Sequence, residues 1–176
     1  MRADAQENHD RLLEVAAAAF AREGTGASLK AIAREAGVGI GTVYRRFPTR
    51  ETLIEAVYQQ EVERLCAAAP ALAIGRSGAA ALRAWMERFV DFMATKRELL
   101  RPALTSEADR QQTRDQLRAA IGVLLTAGEA DGTVRSAIDP NDLLLSLGGI
   151  TLIADAERRR PLATRLIALL LDGVLA

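Results

Sequence analysis

The sequence has few of the residues on which disulfide, metal and nucleophilic chemistry depend. Its 176 residues include one cysteine, Cys66, and one histidine, His9. A single cysteine supports neither an intrachain disulfide nor a multi-cysteine metal site, and such a chain is typical of a reducing cytoplasm. The sequence has no Cys–His pair, no metal-ligand cluster and no phosphate-binding glycine loop followed by lysine, so we expect no catalytic site, metal or cofactor.

Aromatic residues are also scarce, at 4%, and there are only five prolines. Because alanine and leucine are abundant instead, the composition favours helix over strand and disfavours long disordered segments. The longest apolar runs, near 143–154 and 166–171, are too short and too interrupted to cross a bilayer, and no apolar signal core follows Arg2. We therefore expect a cytoplasmic protein with no membrane partner.

The chain has no excess charge of either sign, since 23 basic residues balance 23 acidic residues. Its overall charge therefore predicts neither a nucleic-acid partner nor a membrane partner. Residues 28–50 depart from this balance, because they contain five basic residues and one acidic residue, Glu35, a net charge of +4. Local positive charge on a short helix is the electrostatic footprint of a DNA-binding surface.

Apolar residues recur at helical spacing through most of the chain, which predicts an all-α fold. Ser28 and Thr49 are predicted to cap the helices that they begin, and Pro140 and Pro161 to occupy first helical positions. A linker is predicted at 70–78, and Val134 lies in the only brief extended pattern. The predicted helices, about nine, span 8–23, 28–36, 41–47, 49–68, 79–94, 96–105, 107–129, 140–159 and 161–175.

Residues 36–48, which read AGVGIGTVYRRFP, break the helical pattern sharply. A helix, a glycine-containing turn and a short second helix ended by proline make a helix-turn-helix motif. Gly37 is predicted to end the first helix in a left-handed conformation, with Val38 pointing inward. Gly39 and Gly41 leave the start of the second helix bare, so that its backbone can approach DNA phosphates. An ordinary interhelical turn is the alternative, and the Tyr-Arg-Arg sequence and the charge excess disfavour it.

The side chains of this motif are predicted to divide between the DNA backbone and the bases. Thr42, Tyr44 and Arg50 carry donors suited to phosphate oxygens, which set the register of a protein on the duplex. Base edges in the major groove are read by side chains that reach into it. The candidates for base contacts are Ile40, Arg45 and Arg46.

The segment from Ser28 to Leu53, SLKAIAREAGVGIGTVYRRFPTRETL, resembles the signature of TetR/AcrR-family transcriptional regulators. The resemblance covers about the first 65 residues closely, and the rest agrees in helix layout. It implies an N-terminal three-helix DNA-binding domain (1–49), a connecting helix (50–69) and a C-terminal effector-binding and dimerisation domain (70–176). The DNA-binding residues that it and the charge pattern indicate are Ser28, Lys30, Ile40, Gly41, Thr42, Val43, Tyr44, Arg45, Arg46 and Arg50.

Two positions depart from the family pattern. Gly39 stands where many members have serine, which weakens the cap of the recognition helix, and Arg50 replaces the commoner lysine, which preserves a phosphate contact. Both departures bear on which operator is bound.

Large apolar side chains beyond the linker have two interpretations. At helical spacing they form plain core, or they line the effector cavity that the resemblance implies. The pocket candidates are Trp85, Met86, Phe89, Met93, Ile121 and Leu124.

The last two predicted helices are apolar almost all round, so each must be buried on more than one side. A partner subunit that contributes the same two helices would complete a four-helix interface. The Gly148-Gly149 pair would let another helix approach closely. The predicted dimer interface comprises Leu144, Leu147, Gly148, Ile150, Thr151, Leu166, Leu170 and Val174.

Together these features predict a ligand-responsive, DNA-binding transcriptional regulator. The resemblance implies a repressor that binds a palindromic double-stranded operator as a homodimer and is released by a small-molecule effector. Two alternatives remain: an enzyme that uses the C-terminal cavity, for which no catalytic constellation is visible, and a helical scaffold that has lost DNA binding. The basic recognition segment disfavours the scaffold.

Overall fold

The structure is a computed structural model that describes residues 2–99, 106–153 and 159–176. Within these ranges the only β-structure is a single antiparallel bridge between Val134 and Leu175, so the predicted all-α fold is confirmed. Most of the helix predicted over 96–105 lies outside the described residues, and the helix before it continues to Leu99. The α-helices are α1 (Arg2–Glu23), α2 (Leu29–Glu35), α3 (Ile40–Arg46), α4 (Arg50–Ala73), α5 (Gly78–Leu99), α6 (Glu107–Ala130), α7 (Pro140–Ile153) and α8 (Arg159–Asp172).

The chain forms two compact units, the first built chiefly from the residues up to Glu61. In this unit α1 packs against α2, and α2 packs against α3. The start of α4 closes the core with Leu53, Ile54 and Val57, each almost fully buried. Phe20 and Ile32 lie at its centre, so the short helices α2 and α3 are held by packing rather than by their own length.

The second unit comprises residues 62–94 and 107 onwards. Here α6 packs against α7, and α7 packs against α8. The start of α5 is fastened to the turn after α6, because Asp131 Oδ2 accepts from the Gly78 amide at 2.6 Å and Thr133 Oγ1 accepts from the Ala79 amide at 3.0 Å. These bonds satisfy amides that the first turn of a helix leaves free. The hydrogen bonds from Thr133 and Gly78 lower the pKa of the Asp131 carboxyl.

The predicted end of α4 was wrong. The prediction placed Pro70 in a linker, but α4 continues through it to Ala73. Proline removes one backbone hydrogen bond, which is tolerated here because Ala69 and Leu72 are buried and hold the last turn in place. The linker is therefore only four residues long, from Ile74 to Ser77, and Gly75 within it has a φ of +71°.

None of the described helices combines the length and the apolar character that crossing a membrane would require.

Candidate nucleic-acid interface

The turn between α2 and α3 is built by two backbone hydrogen bonds. The Gly37 amide donates to Arg34 O at 3.2 Å, and the Val38 amide donates to Ala33 O at 2.9 Å. This is the Schellman arrangement, which needs a left-handed residue, and Gly37 has a φ of +71°. Val38 is half-buried against the core. The predicted roles of Gly37 and Val38 in ending α2 are thus confirmed.

The two helices of the motif begin differently. Ser28 Oγ accepts from the Ala31 amide at 3.3 Å and caps α2, as predicted. Gly39 is the N-cap of α3 and offers no side chain for a cap, as the glycine in place of serine implies. The start of α3 therefore carries little besides backbone, and a Cβ added at Gly41 would meet no described atom within 4 Å.

The outer face of α3 is polar and basic. Thr42, Arg45 and Arg46 are exposed, and Tyr44 is 51% exposed, an unusual value for a large aromatic side chain. Four donor-bearing side chains thus project from a helix of seven residues.

Val43 requires a correction. Its side chain is 1% exposed and packs in the core of the first unit. It therefore anchors α3 and cannot contact bases through its side chain. Ile40 is half-buried against the same core.

Two grooves flank α3. The first, of about 540 Å³, lies between α1 and α3. The second, of about 560 Å³, lies between α2 and α3. Cationic side chains line both, so the positive charge predicted from residues 28–50 is concentrated around one helix. The first groove is lined by Asn8, His9, Leu12, Val38, Gly39, Thr42, Arg45 and Arg46. The second is lined by Ser28, Lys30, Ala31, Ala33, Arg34, Val38 and Ile40.

Two arginines hold the motif together. Arg50 Nη1 donates to Thr25 O at 2.9 Å and to Ala27 O, which ties the start of α4 to the turn before α2. The guanidinium group carries further donors, and its phosphate contact stays a prediction. Arg11 donates through Nε and Nη2 to Ala36 O, at 2.9 and 2.6 Å. Sequence reasoning missed Arg11, because its partner lies 25 residues away.

Two protein-family models match this chain, one over its N-terminal helices and one over its C-terminal helices. Residues 12–57 match the family model "Bacterial regulatory proteins, tetR family", and residues 77–176 match "Transcriptional regulator SbtR-like, C-terminal domain". A TetR transcriptional regulator from Streptomyces coelicolor is 41% identical, with 94% of this chain and 97% of that chain covered and a TM-score of 0.79. The chain belongs to the TetR family. It is therefore a DNA-binding transcriptional regulator, of a family that is not enzymatic.

Other relatives agree with this family assignment. The TetR transcription regulatory protein from Mycobacterium vanbaalenii is 32% identical over 99% of both chains, with a TM-score of 0.79. An HTH-type transcriptional regulator of Staphylococcus aureus is 41% identical over 64 residues. That match spans 36% of this chain and 35% of the Staphylococcus protein, so the chain covers about a third of that relative's length.

The six pocket candidates of this TetR-family chain lie in its second unit. Five of them are enclosed by protein: Trp85, Met86, Ile121 and Leu124 are fully buried, and Phe89 is 2% exposed. The indole Nε1–H of Trp85 donates to Leu65 O at 2.9 Å. Met93 is half-buried. These contacts are those of core residues, and a role in effector binding stays a prediction.

Most of the predicted dimer residues are enclosed within a single protomer, and their role at an interface stays a prediction. Four of the eight are buried on α7, which packs on α6 and α8: Leu144, Leu147, Ile150 and Thr151. Val174, which follows α8, is also buried. Gly148, Leu166 and Leu170 are half-buried. The leucines that project from α7 and α8 are instead Leu145, Leu152 and Leu169, with exposed fractions of 64, 69 and 68%.

Proposed function

We propose that this TetR-family chain is a repressor that binds a palindromic operator as a homodimer and is released by a small-molecule effector. The observation that carries the proposal is the exposed polar face of α3 between two cation-lined grooves. Each protomer would place α3 in one major groove, with the two recognition helices about one helical turn or somewhat more apart. Such a regulator acts on the chromosome, so we expect it in the cytoplasm.

The proposed DNA contacts are of two kinds, contacts to base edges and contacts to backbone phosphates. Arg45 and Arg46 are exposed guanidinium groups that suit bidentate bonds to guanine edges. Thr42 and Tyr44 carry hydroxyls suited to phosphate oxygens. Ser28, Lys30 and Arg50 would add backbone contacts on the other side of α3, where Ser28 and Lys30 line the second groove.

The substitution Arg46→Ala tests the recognition role of α3. If Arg46 reads a base, affinity for the operator falls by about 1–3 kcal/mol while affinity for random DNA falls less. Operators are first selected from a random duplex library, and affinity is then measured at two salt concentrations. A palindromic consensus sequence, and an affinity that falls steeply as the salt concentration rises, would support the proposal. The matched control is Arg76→Ala, an exposed arginine in the linker after α4.

Equal losses on operator and random DNA would assign Arg46 to phosphate contact. If the unmodified protein binds DNA regardless of sequence and the selection enriches no palindrome, the proposed operator binding is wrong and a scaffold function is favoured.

The dimer surface that we propose is the outer face of α7 and α8. Leu145, Leu152 and Leu169 project from it, and a Cβ added at Gly148 or Gly149 would meet no atom of the described chain within 4 Å. The two glycines are therefore not required by packing inside one protomer. They would let the α7 helices of two protomers approach closely.

An effector site is supported by two polar atoms in the second unit. Among the described residues, Thr113 Oγ1 and Gln116 Oε1 are buried without a hydrogen-bond partner. Thr113 is only 4% exposed, and Gln116 lies one turn further along α6. Buried polar groups are almost always paired, so this part of α6 suits an effector that is mainly apolar and carries a hydrogen-bonding group.

The isosteric variant Thr113→Val tests this site. Compounds are first found by their ability to raise the melting temperature of the unmodified protein and to release its operator. For those that use this site, Thr113→Val weakens binding about 10-fold, because the pairing hydroxyl is lost. Ser146→Ala, on the exposed side of α7, is the control that keeps full response. Unchanged affinity of every such compound for Thr113→Val would exclude this part of α6 as the effector site.

A further inference from the structure

The groove between α1 and α3 contains the only histidine of the chain, His9. Its imidazole ring stacks on Phe47, with ring centroids 5.9 Å apart and an angle of 17° between the ring planes. Phe47 is buried and directly follows α3, so the stack joins the first turns of α1 to the end of the recognition helix. His9 shares its groove with Thr42, Arg45 and Arg46, three of the residues proposed to contact DNA.

His9 also has an unsatisfied polar atom. In the described part of the chain its Nδ1 is buried without a hydrogen-bond partner. Because protein encloses Nδ1, an incoming ligand can meet only the rest of the half-buried ring, where Nε2 is the remaining nitrogen able to donate a hydrogen bond. A groove lined by Arg45 and Arg46 suits an anion, and in the proposed operator complex that anion would be a DNA phosphate.

We propose that His9 is a further DNA-backbone contact, and that operator binding by this regulator is coupled to the uptake of one proton by its imidazole ring. The proposal rests on the proposed placement of α3 in the major groove. It adds α1 to the DNA-binding surface, and it makes operator affinity sensitive to pH.

The charges around the ring give the direction of this coupling. Burial lowers the pKa of His9, the Arg46 guanidinium lowers it further, and Asp10 on the same helix opposes both. Arg45 lines the same groove and adds positive charge. The surroundings of His9 in the free protein therefore favour the neutral imidazole. A phosphate in the groove neutralises the field of the arginines and favours the imidazolium, so the pKa rises on binding.

The sign of the pH dependence follows from that rise. At pH values above the pKa of His9 in the complex, His9 is neutral both in the free protein and in the complex, so affinity does not depend on pH. Between the pKa of the complex and the lower pKa of the free protein, binding takes up a proton, so affinity increases as the pH falls. Cys66 does not titrate in this range, because burial raises its pKa to about 11.

The test compares three proteins on the selected operator at pH 6 and pH 8, at constant ionic strength. The unmodified protein should bind about 3- to 10-fold more tightly at pH 6, a ratio set by how far DNA raises the pKa. His9→Phe keeps an aromatic ring against Phe47 but has no proton to gain, so its ratio should be close to one. His9→Gln keeps a hydrogen-bonding group and should also lose the pH dependence.

A second readout requires no variant. Because His9 is the only histidine, its imidazole C–H signals in the NMR spectrum report a single titration, in the free protein and in the operator complex. The expected result is a higher midpoint in the complex. Equal midpoints, or a His9→Phe protein that keeps the pH 6 to pH 8 ratio, would overturn the proposal. If the unmodified protein prefers the operator at neither pH, the proposed function itself fails, and this inference fails with it.

Discussion

Replacing Leu145 and Leu152 together by arginine is expected to yield a folded monomer that binds its operator about 10²- to 10⁴-fold more weakly than the unmodified protein. Both leucines are more than 60% exposed in a single protomer, so the substitutions remove no contact from the core. Each would contribute about 1.5–3 kcal/mol if fully buried by a partner. A twofold interface repeats every substitution, so four new like charges would face one another.

The loss in affinity follows from the linkage of two half-sites. A dimer binds its second half-site at a high effective concentration, and a monomer loses this advantage, which is worth about 10²- to 10⁴-fold. The oligomeric state is measured by sedimentation or light scattering and operator affinity by titration. Ile74→Arg is the matched control, because Ile74 is 80% exposed and lies in the linker after α4. A double variant that stays dimeric and binds normally would place the dimer interface elsewhere.

Gly148→Leu tests the same proposed interface by adding a side chain where the original chain has none. A Cβ at Gly148 has open space around it in one protomer, and leucine has a higher helix propensity than glycine. The variant should therefore fold at least as well as the original chain. If a partner helix crosses at this point, the same substitution should prevent dimerisation.

Gly78→Ala is expected to destabilise the second unit by about 3 kcal/mol, near the upper end of what overpacking costs. A Cβ at Gly78 would lie 2.2 Å from the Cα of Gly128 and 2.3 Å from its amide nitrogen. These are backbone atoms, so no side-chain rotation relieves the contact. Moving the helix start away would also break the hydrogen bonds that the first amides of α5 donate to Asp131 and Thr133.

Denaturant unfolding of the purified variant measures this effect as a lower transition midpoint for the second unit. The control is Gly122→Ala on α6, where the added Cβ would lie 4.0 Å from its nearest neighbour, a carbon of Pro140. We expect Gly122→Ala to be neutral or stabilising by up to about 1 kcal/mol, because alanine favours helix. Equal midpoints for Gly78→Ala and the original chain would mean that α5 and α6 do not cross as closely as described.

Features that depend on a few neighbouring residues were predictable from the sequence. The caps at Ser28 and Thr49 and the left-handed turn at Gly37 were all anticipated, and each is determined by contacts within five residues along the chain. The extended piece at Val134 was also anticipated, although its partner, Leu175, was not.

Features that depend on distant packing were not predictable. The faces of α7 and α8 could not be told apart, because leucine occurs almost all round both helices and no polar stripe marks the outside. Val43 was placed on the DNA side, although its position on α3 faces the core. The sequence predicts that Pro70 lies in a linker, although α4 continues through it to Ala73 because the neighbouring Ala69 and Leu72 are buried.

By itself, then, the sequence determined an all-helical chain with a basic helix-turn-helix, because helical periodicity, caps, glycine turns and local charge all act over short distances. Only the tertiary structure decided which leucines of α7 and α8 remain exposed, that Arg11 donates to Ala36 O, that His9 stacks on Phe47, and that Gly78 lies against Gly128. The three contacts join residues that are far apart along the chain, and helix packing both brings them together and determines which leucines are covered.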